Sequence, residues 1–159
     1  MTIEIRSYRA TDEPQLHLMD EKTQREYRGL AWDSLDLDKR RELLWYGEQL
    51  PSDVDADFLL VAVDDDRFAG FLFACSDQLR PDRMRIDGVA VGRAYRRAGI
   101  GRALYAELIA RAKRAGIRRL TTRISTDNEP SQRLHQAAGF ALIDCVEANL
   151  IVRPATVAQ

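Results

Sequence analysis

Apolar residues recur along this chain with two different periods, and the change from one period to the other predicts its elements. Ile3 and Ile5 alternate with Thr2, Glu4 and Arg6, which predicts a half-buried strand ending near Tyr8. Thr11-Asp-Glu-Pro14 reads as a helix start, followed by Leu16, Leu18, Met19, Tyr27 and Leu30 at loosely helical spacing, with Gly29 as a break. Asp36 or Asp38 caps a second helix running through Leu43, Leu44 and Trp45 and stopped by Gly47 and Pro51. The pattern then turns compact: the runs 57–63 and 68–75 flank Asp64-Asp-Asp-Arg67 and predict a hairpin. Met84 to Val91 is the next strand, in which Gly88 predicts a bulge or a close backbone approach.

The best helix covers Gly99 to Ala115, where Ile100, Leu104, Leu108 and Ala112 repeat every four residues and Gly116 supplies the stop. Arg119 to Ser125 follows as a strand, and Thr126-Asp-Asn-Glu-Pro130 turns into a short helix, Pro130 to Ala138, ended by Gly139. Phe140 to Val152 is strand-rich, with two strands around Asp144–Glu147, and Pro154–Gln159 reads as a frayed tail. Strands first and then a strand–helix–strand–helix–strand series predict an α/β or α+β domain with helices covering a mixed sheet. A single domain suits 159 residues.

Chemistry concentrates between Val89 and Leu104. A short apolar strand runs into Arg96-Arg-Ala-Gly99-Ile-Gly101-Arg102 and then into the strong helix. Glycines remove side chains where backbone must approach a ligand, and the first N–H groups of a helix lack intrahelical partners. Together with the helix dipole and the arginines they suit a diphosphate. A dinucleotide-binding Gly-x-Gly-x-x-Gly does not apply, because its third glycine would fall at Leu104, and no Gly-Lys-Ser/Thr follows for a P-loop.

Charge sharpens this picture. The net charge of −1 conceals segregation: residues 1–66 carry 8 Lys/Arg against 17 Asp/Glu, a balance of −9, whereas residues 93–119 carry 9 against Glu107 alone, a balance of +8. The basic segment favours a polyanionic ligand, and the acidic half either attracts a cationic one or solvates helix faces. No basic–aromatic interleaving points to nucleic acid. No apolar run approaches a membrane span of ~18 residues, and the start lacks a signal peptide, so a cytoplasmic protein without a membrane partner is expected. Cys75 and Cys145 read as small buried hydrophobes, and the triple aspartate as a solvated turn, so no metal site is expected.

The loop Arg96-Arg-Ala-Gly99-Ile-Gly101 resembles the Arg/Gln-x-x-Gly-x-Gly/Ala motif of the GCN5-related N-acetyltransferase (GNAT) superfamily. Leu120-Thr-Thr-Arg-Ile124, Asn128, Ser131, Leu134-His135 and Gly139-Phe140 resemble its later strand, its Asn-x-x-Ala/Ser-x-x-Leu-Tyr helix and its Gly-Phe strand start, and Ile3 to Asp12 is similar to its opening. The resemblance implies one domain over 1–153 with a tail at 154–159, and a mixed, mostly antiparallel sheet of about six to seven strands flanked by about four helices. It also implies acetyl-CoA as cofactor, held by backbone N–H groups of Arg96, Arg97, Ala98, Gly99, Ile100, Gly101 and Arg102 at the pyrophosphate. Val89, Ala90 and Val91 would offer backbone to the pantetheine and thioester, and Asn128, with Ser131 and His135, would lie along the arm. The alternative for Asn128 is a turn or helix cap before Pro130.

The activity implied is N-acetyl transfer to a primary amine of a small molecule or peptide, by direct attack in a ternary complex. Asp87 occupies the position of a catalytic Glu in histone-acetyltransferase-like members; one methylene shorter, it would act as a base through water, or else it is a strand residue facing solvent. His135 stands where many members have a Tyr that protonates the leaving thiolate. Imidazole, with a pKa near ~6.5 against ~10 for phenol, would serve as the acid or be a structural hydrogen-bonding group. The alternative function is a catalytically silent acyl-CoA-binding or interaction module. Tyr27, Trp32, Asp33, Trp45 and Tyr46 are candidates for the acceptor wall or for core, and homodimers are common among relatives.

Overall fold

A computed structural model describes residues 1–44 and 54–143. The elements in chain order are β1 (Ile3–Ser7), α1 (Glu13–Arg28), α2 (Leu30–Asp33), α3 (Leu37–Leu43), β2 (Val54–Asp64), β3 (Arg67–Ser76), β4 (Arg83–Val91), α4 (Ile100–Arg114), β5 (Arg119–Thr121) and α5 (Glu129–Ala137). Among the described residues they form one five-stranded sheet in the order β1-β2-β3-β4-β5, antiparallel except for the β4–β5 pair. Short turns join β2, β3 and β4, whereas β1 reaches β2 through a long connection carrying α1 to α3 and β4 reaches β5 through the α4 crossover that a parallel pair needs.

Two apolar layers sandwich the sheet. On one face Leu60, Ala62, Leu72, Met84 and Ile86 pack against Ile100, Leu104, Tyr105, Leu108 and Ala112 of α4. On the other Leu59, Val61, Phe71, Phe73, Cys75 and Ala90 pack against Leu16 of α1. Period-2 alternation in the strands and the four-residue repeat of α4 thus meet as predicted, and β2 and β3 are buried on both faces because helices cover both.

Local chemistry sets several boundaries. Gly29, at φ +58°, ends α1 with a conformation open to glycine. Asp36 caps α3 by accepting from the Lys39 N–H at 2.8 Å. Asp12, just before α1, takes two bonds from the Arg6 guanidinium at 2.7 and 2.8 Å and one from the Arg9 N–H at 2.7 Å. The Arg6 bond holds its carboxyl below the ordinary range and ties β1 to the start of α1.

The structure departs from the expected pattern in three places. Five strands are present among the described residues rather than six to seven, and five helices rather than four, because the first helical region breaks at Gly29 and again before Asp36. β5 ends at Thr121 instead of Ser125, since only Arg119–Thr121 find partners, on Arg83–Arg85. Residues 140–143 form no strand, and the remainder of the strand-rich segment, Trp45, Tyr46, Cys145 and the tail 154–159 lie outside the described residues.

Candidate functional site

The site begins with a flaw in β4. Phe73 pairs with Gly88, but Ala74 pairs with Ile86, so Asp87 is an extra residue with no partner across the ladder. Facing confirms it: Met84 and Ile86 lie on the α4 side, and so do Val89 and Val91, three positions on rather than two. The bulge expected at Gly88 is therefore centred on Asp87. Gly88 is needed beside it, because a Cβ there would sit 2.2 Å from Cε1 of the buried Phe73 ring.

Just before the bulge, β4 and β5 part. Their pairing stops at Arg85 and Thr121, leaving Asp87 to Val91 without a strand on that side among the described residues. The gap is bounded at one end by the loop of residues 92–99. In it Arg97 adopts φ +63° and Gly99 φ +80°, two left-handed residues separated by Ala98 as the chain enters α4. The first helical bond there runs from the Ala103 N–H to the Gly99 carbonyl at 3.0 Å. The N–H groups of Arg97 through Arg102 have no backbone acceptor among the described residues. Gly101 is buried against Leu134 of α5, where a Cβ would come within 2.9 Å of Leu134 Cδ1, so glycine allows the helix start this close approach to α5.

The predicted side chains fall into different surroundings. Asp87 is partly exposed, and Arg85 grips its two oxygens at 2.6 and 2.7 Å. Arg96 donates through Nε to the Val91 carbonyl at 3.2 Å and through Nη2 to Glu26 of α1. Arg97 and Arg102 are exposed. Asn128 caps α5, its Oδ1 accepting from the Ser131 N–H at 3.2 Å, which is the local role its position before Pro130 also allowed. Of the acceptor-wall candidates, Trp32 is buried, Asp33 lies 3.7 Å from Arg25, and Tyr27 donates to Asp127 at 3.3 Å.

His135 is only 2% exposed. Its Nδ1 is 2.7 Å from the Ser131 carbonyl, which can only accept, so Nδ1 carries the proton and Nε2 accepts from Tyr105 Oη at 2.6 Å. Both ring nitrogens are thus engaged inside the protein, between α5 and α4, with Phe140 edge-on to both rings. A ring so enclosed has no nitrogen left for a departing thiolate. Burial pushes its pKa below the usual value, so the neutral form is the native one. The unfolded chain then binds a proton at higher pH than the native chain, and stability falls as pH drops from about 6.5 through the lowered native value. Denaturant midpoints measured between about pH 7 and pH 5 should fall in the wild type and fall less in His135→Gln.

A family model described as the acetyltransferase (GNAT) family matches residues 16–140. The chain belongs to that family. No sequence among curated proteins matches this GNAT chain. Among solved structures, it is similar to an integron cassette protein from the mobile metagenome of V. cholerae, with a TM-score of 0.72 at 20% identity over 96% of this chain and 94% of the other. An aminoglycoside acetyltransferase from an uncultured soil metagenomic sample superposes with a TM-score of 0.69 at 14% identity, covering 95% and 97%. The diaminobutyrate acetyltransferase of Paenibacillus lautus, solved with L-2,4-diaminobutyric acid and coenzyme A, gives 0.62 at 24% identity over 86% and 74%. At such identities the likeness is one of fold.

Three partners of the expected site residues were not foreseen: Glu26 for Arg96, Arg85 for Asp87 and Tyr105 for His135. Arg85 and Asp87 are two apart in a strand, a spacing that hinted at a shared side. Glu26 and Tyr105 are 70 and 30 residues from their partners and carried no signal. Among the described residues no group of three or more His, Cys, Asp or Glu side chains is arranged to hold a metal, and no helix is long and apolar enough to cross a membrane.

Proposed function

We propose that this protein transfers an acetyl group from acetyl-CoA to a primary amine of a small molecule or peptide, by direct attack in a ternary complex. The observation that carries the reading is the row of unpartnered N–H groups from Arg97 to Arg102 beside a β4 edge that has lost its neighbour. Those donors and the α4 dipole fit a diphosphate, and the residues on either side fit the rest of the cofactor. When bound, acetyl-CoA supplies the activated acyl thioester.

The chain's own residues then divide the work. Arg97 to Arg102 hold the pyrophosphate through backbone, with Arg96 adding charge. Val89, Ala90 and Val91 offer peptide groups to an extended arm lying where β5 is missing, and an N–H from this run would polarise the thioester carbonyl. Asn128 and Ser131 stand at the mouth of α5 on the opposite side. Asp87 is the base: a carboxylate has about four lone-pair directions, Arg85 uses two, and the others remain for a water that relays the amine proton to the carboxylate. His135 is left out of proton transfer; through Tyr105 and Ser131 it positions α5 against α4.

A silent acyl-CoA-binding module is the second reading, favoured by the engagement of Asp87 and His135 within the protein. Incubation with acetyl-CoA and a panel of amines, following release of free thiol, separates the two. Turnover with any amine is expected; binding of coenzyme A without turnover across the panel would favour the silent module.

A further inference from the structure

The α1 helix crosses the end of the cofactor gap, and its contacts trace the path. Gln15 accepts from the Phe68 N–H at the start of β3, Met19 packs on Gly92 just past β4, and the last turn reaches both loops that bound the gap. There Glu26 takes the guanidinium of Arg96, before α4, and Tyr27 donates to Asp127, before α5, at 3.3 Å. Arg96 immediately precedes the N–H row that begins at Arg97, in the loop read above as the diphosphate cradle.

We infer that Glu26 is an internal competitor for the cofactor: its carboxylate holds Arg96 and must release that cation when a diphosphate enters. The inference rests on the proposed acetyl-CoA reading. Two features carry it. The Glu26–Arg96 pair is exposed on both sides, 42% and 46%, so water and salt weaken it and release is easy. A diphosphate in the loop brings more negative charge than one carboxylate to the same guanidinium, which keeps its Nε bond to the Val91 carbonyl and so stays at the loop. Tyr27 holds the helix turn to the other loop meanwhile, so α1 is not cast loose. Glu26 therefore acts through Arg96, as a positioning residue that sets cofactor affinity without touching the reacting atoms.

The sign of the effect is the test. Calorimetric titration with coenzyme A is expected to give Glu26→Gln a Kd roughly two- to five-fold lower than wild type, the range an exposed ion pair spans. Glu21→Gln makes the same change of charge on the same helix, where Glu21 pairs with Arg25, and should move Kd less. In an Arg96→Gln background, Glu26→Gln should have no further effect. An unchanged or higher Kd in Glu26→Gln, or an equal gain without Arg96, overturns the inference while leaving the cofactor reading intact. Failure of the wild-type chain to bind coenzyme A overturns the cofactor reading and this inference together.

Discussion

Gly88→Val is expected to destabilise the protein by about 3 kcal/mol, lowering Tm by roughly 6–12 °C for a chain of this size. The first atom of any side chain at this position meets the Phe73 ring at 2.2 and 2.8 Å. Phe73 is 1% exposed and packed among Leu16, Phe71 and Cys75, so the ring has no free volume to enter. The alternative to moving the ring is moving β4, and β4 at this point is the bulge that carries Asp87 and aims Val89 to Val91 into the gap. Thermal unfolding by circular dichroism measures the first effect, and coenzyme A affinity at a temperature where the variant remains folded measures the second. Gly116→Ala serves as the comparison: its φ of +75° imposes conformational strain, yet nothing lies within 4 Å, so a loss of only about 1–2 kcal/mol is expected. Adding Phe73→Leu to Gly88→Val should restore part of the stability. A Gly88→Val protein as stable as wild type would show that the bulge does not depend on glycine.

Asp87→Asn is expected to lower kcat about 100-fold with little change in KM for acetyl-CoA, measured with any amine that turns over. The substitution keeps size and one acceptor oxygen, so the bulge and one of the two Arg85 bonds persist, but an amide cannot take up the amine proton. A residue that only held Arg85 in place would give a different split, with stability or KM moving and kcat nearly intact. Asp87→Glu discriminates further, since it preserves a base while displacing it by one methylene and should retain more kcat than Asn. Equal turnover in Asp87→Asn and wild type would remove Asp87 from the chemistry without touching the claim of acetyl transfer.

Much of this was legible in one dimension because the information is local. The four-residue stripe of Ile100, Leu104, Leu108 and Ala112 specifies a helix and its buried face without reference to other segments, and α4 is found at Ile100–Arg114. The hairpin is equally local: two apolar runs and a polar turn bring Asp64 opposite Arg67. Gly99 and Gly101 mark a helix start that backbone alone can turn into an anion cradle. Gly88 announced an irregular strand. In each case a few neighbouring residues decide the backbone, and the backbone is what the family motif consists of.

Side-chain roles were decided elsewhere. His135 reads in sequence as a proton donor or a structural group with equal ease, and what separates the two is Tyr105, thirty residues earlier, whose hydroxyl meets Nε2 at 2.6 Å only once α4 and α5 are packed together. Arg96 looks free for phosphate until α1 crosses the sheet and brings Glu26 to it. The end of β5 at Thr121, which opens the cleft, depends on which residues of β4 come alongside, not on the strand propensity of Thr122 to Ser125. Period, turn chemistry and glycine placement are short-range constraints that the chain carries at every point. Which charges and ring nitrogens remain available for chemistry is a property of contacts made across tens of residues, and only the tertiary structure creates those contacts.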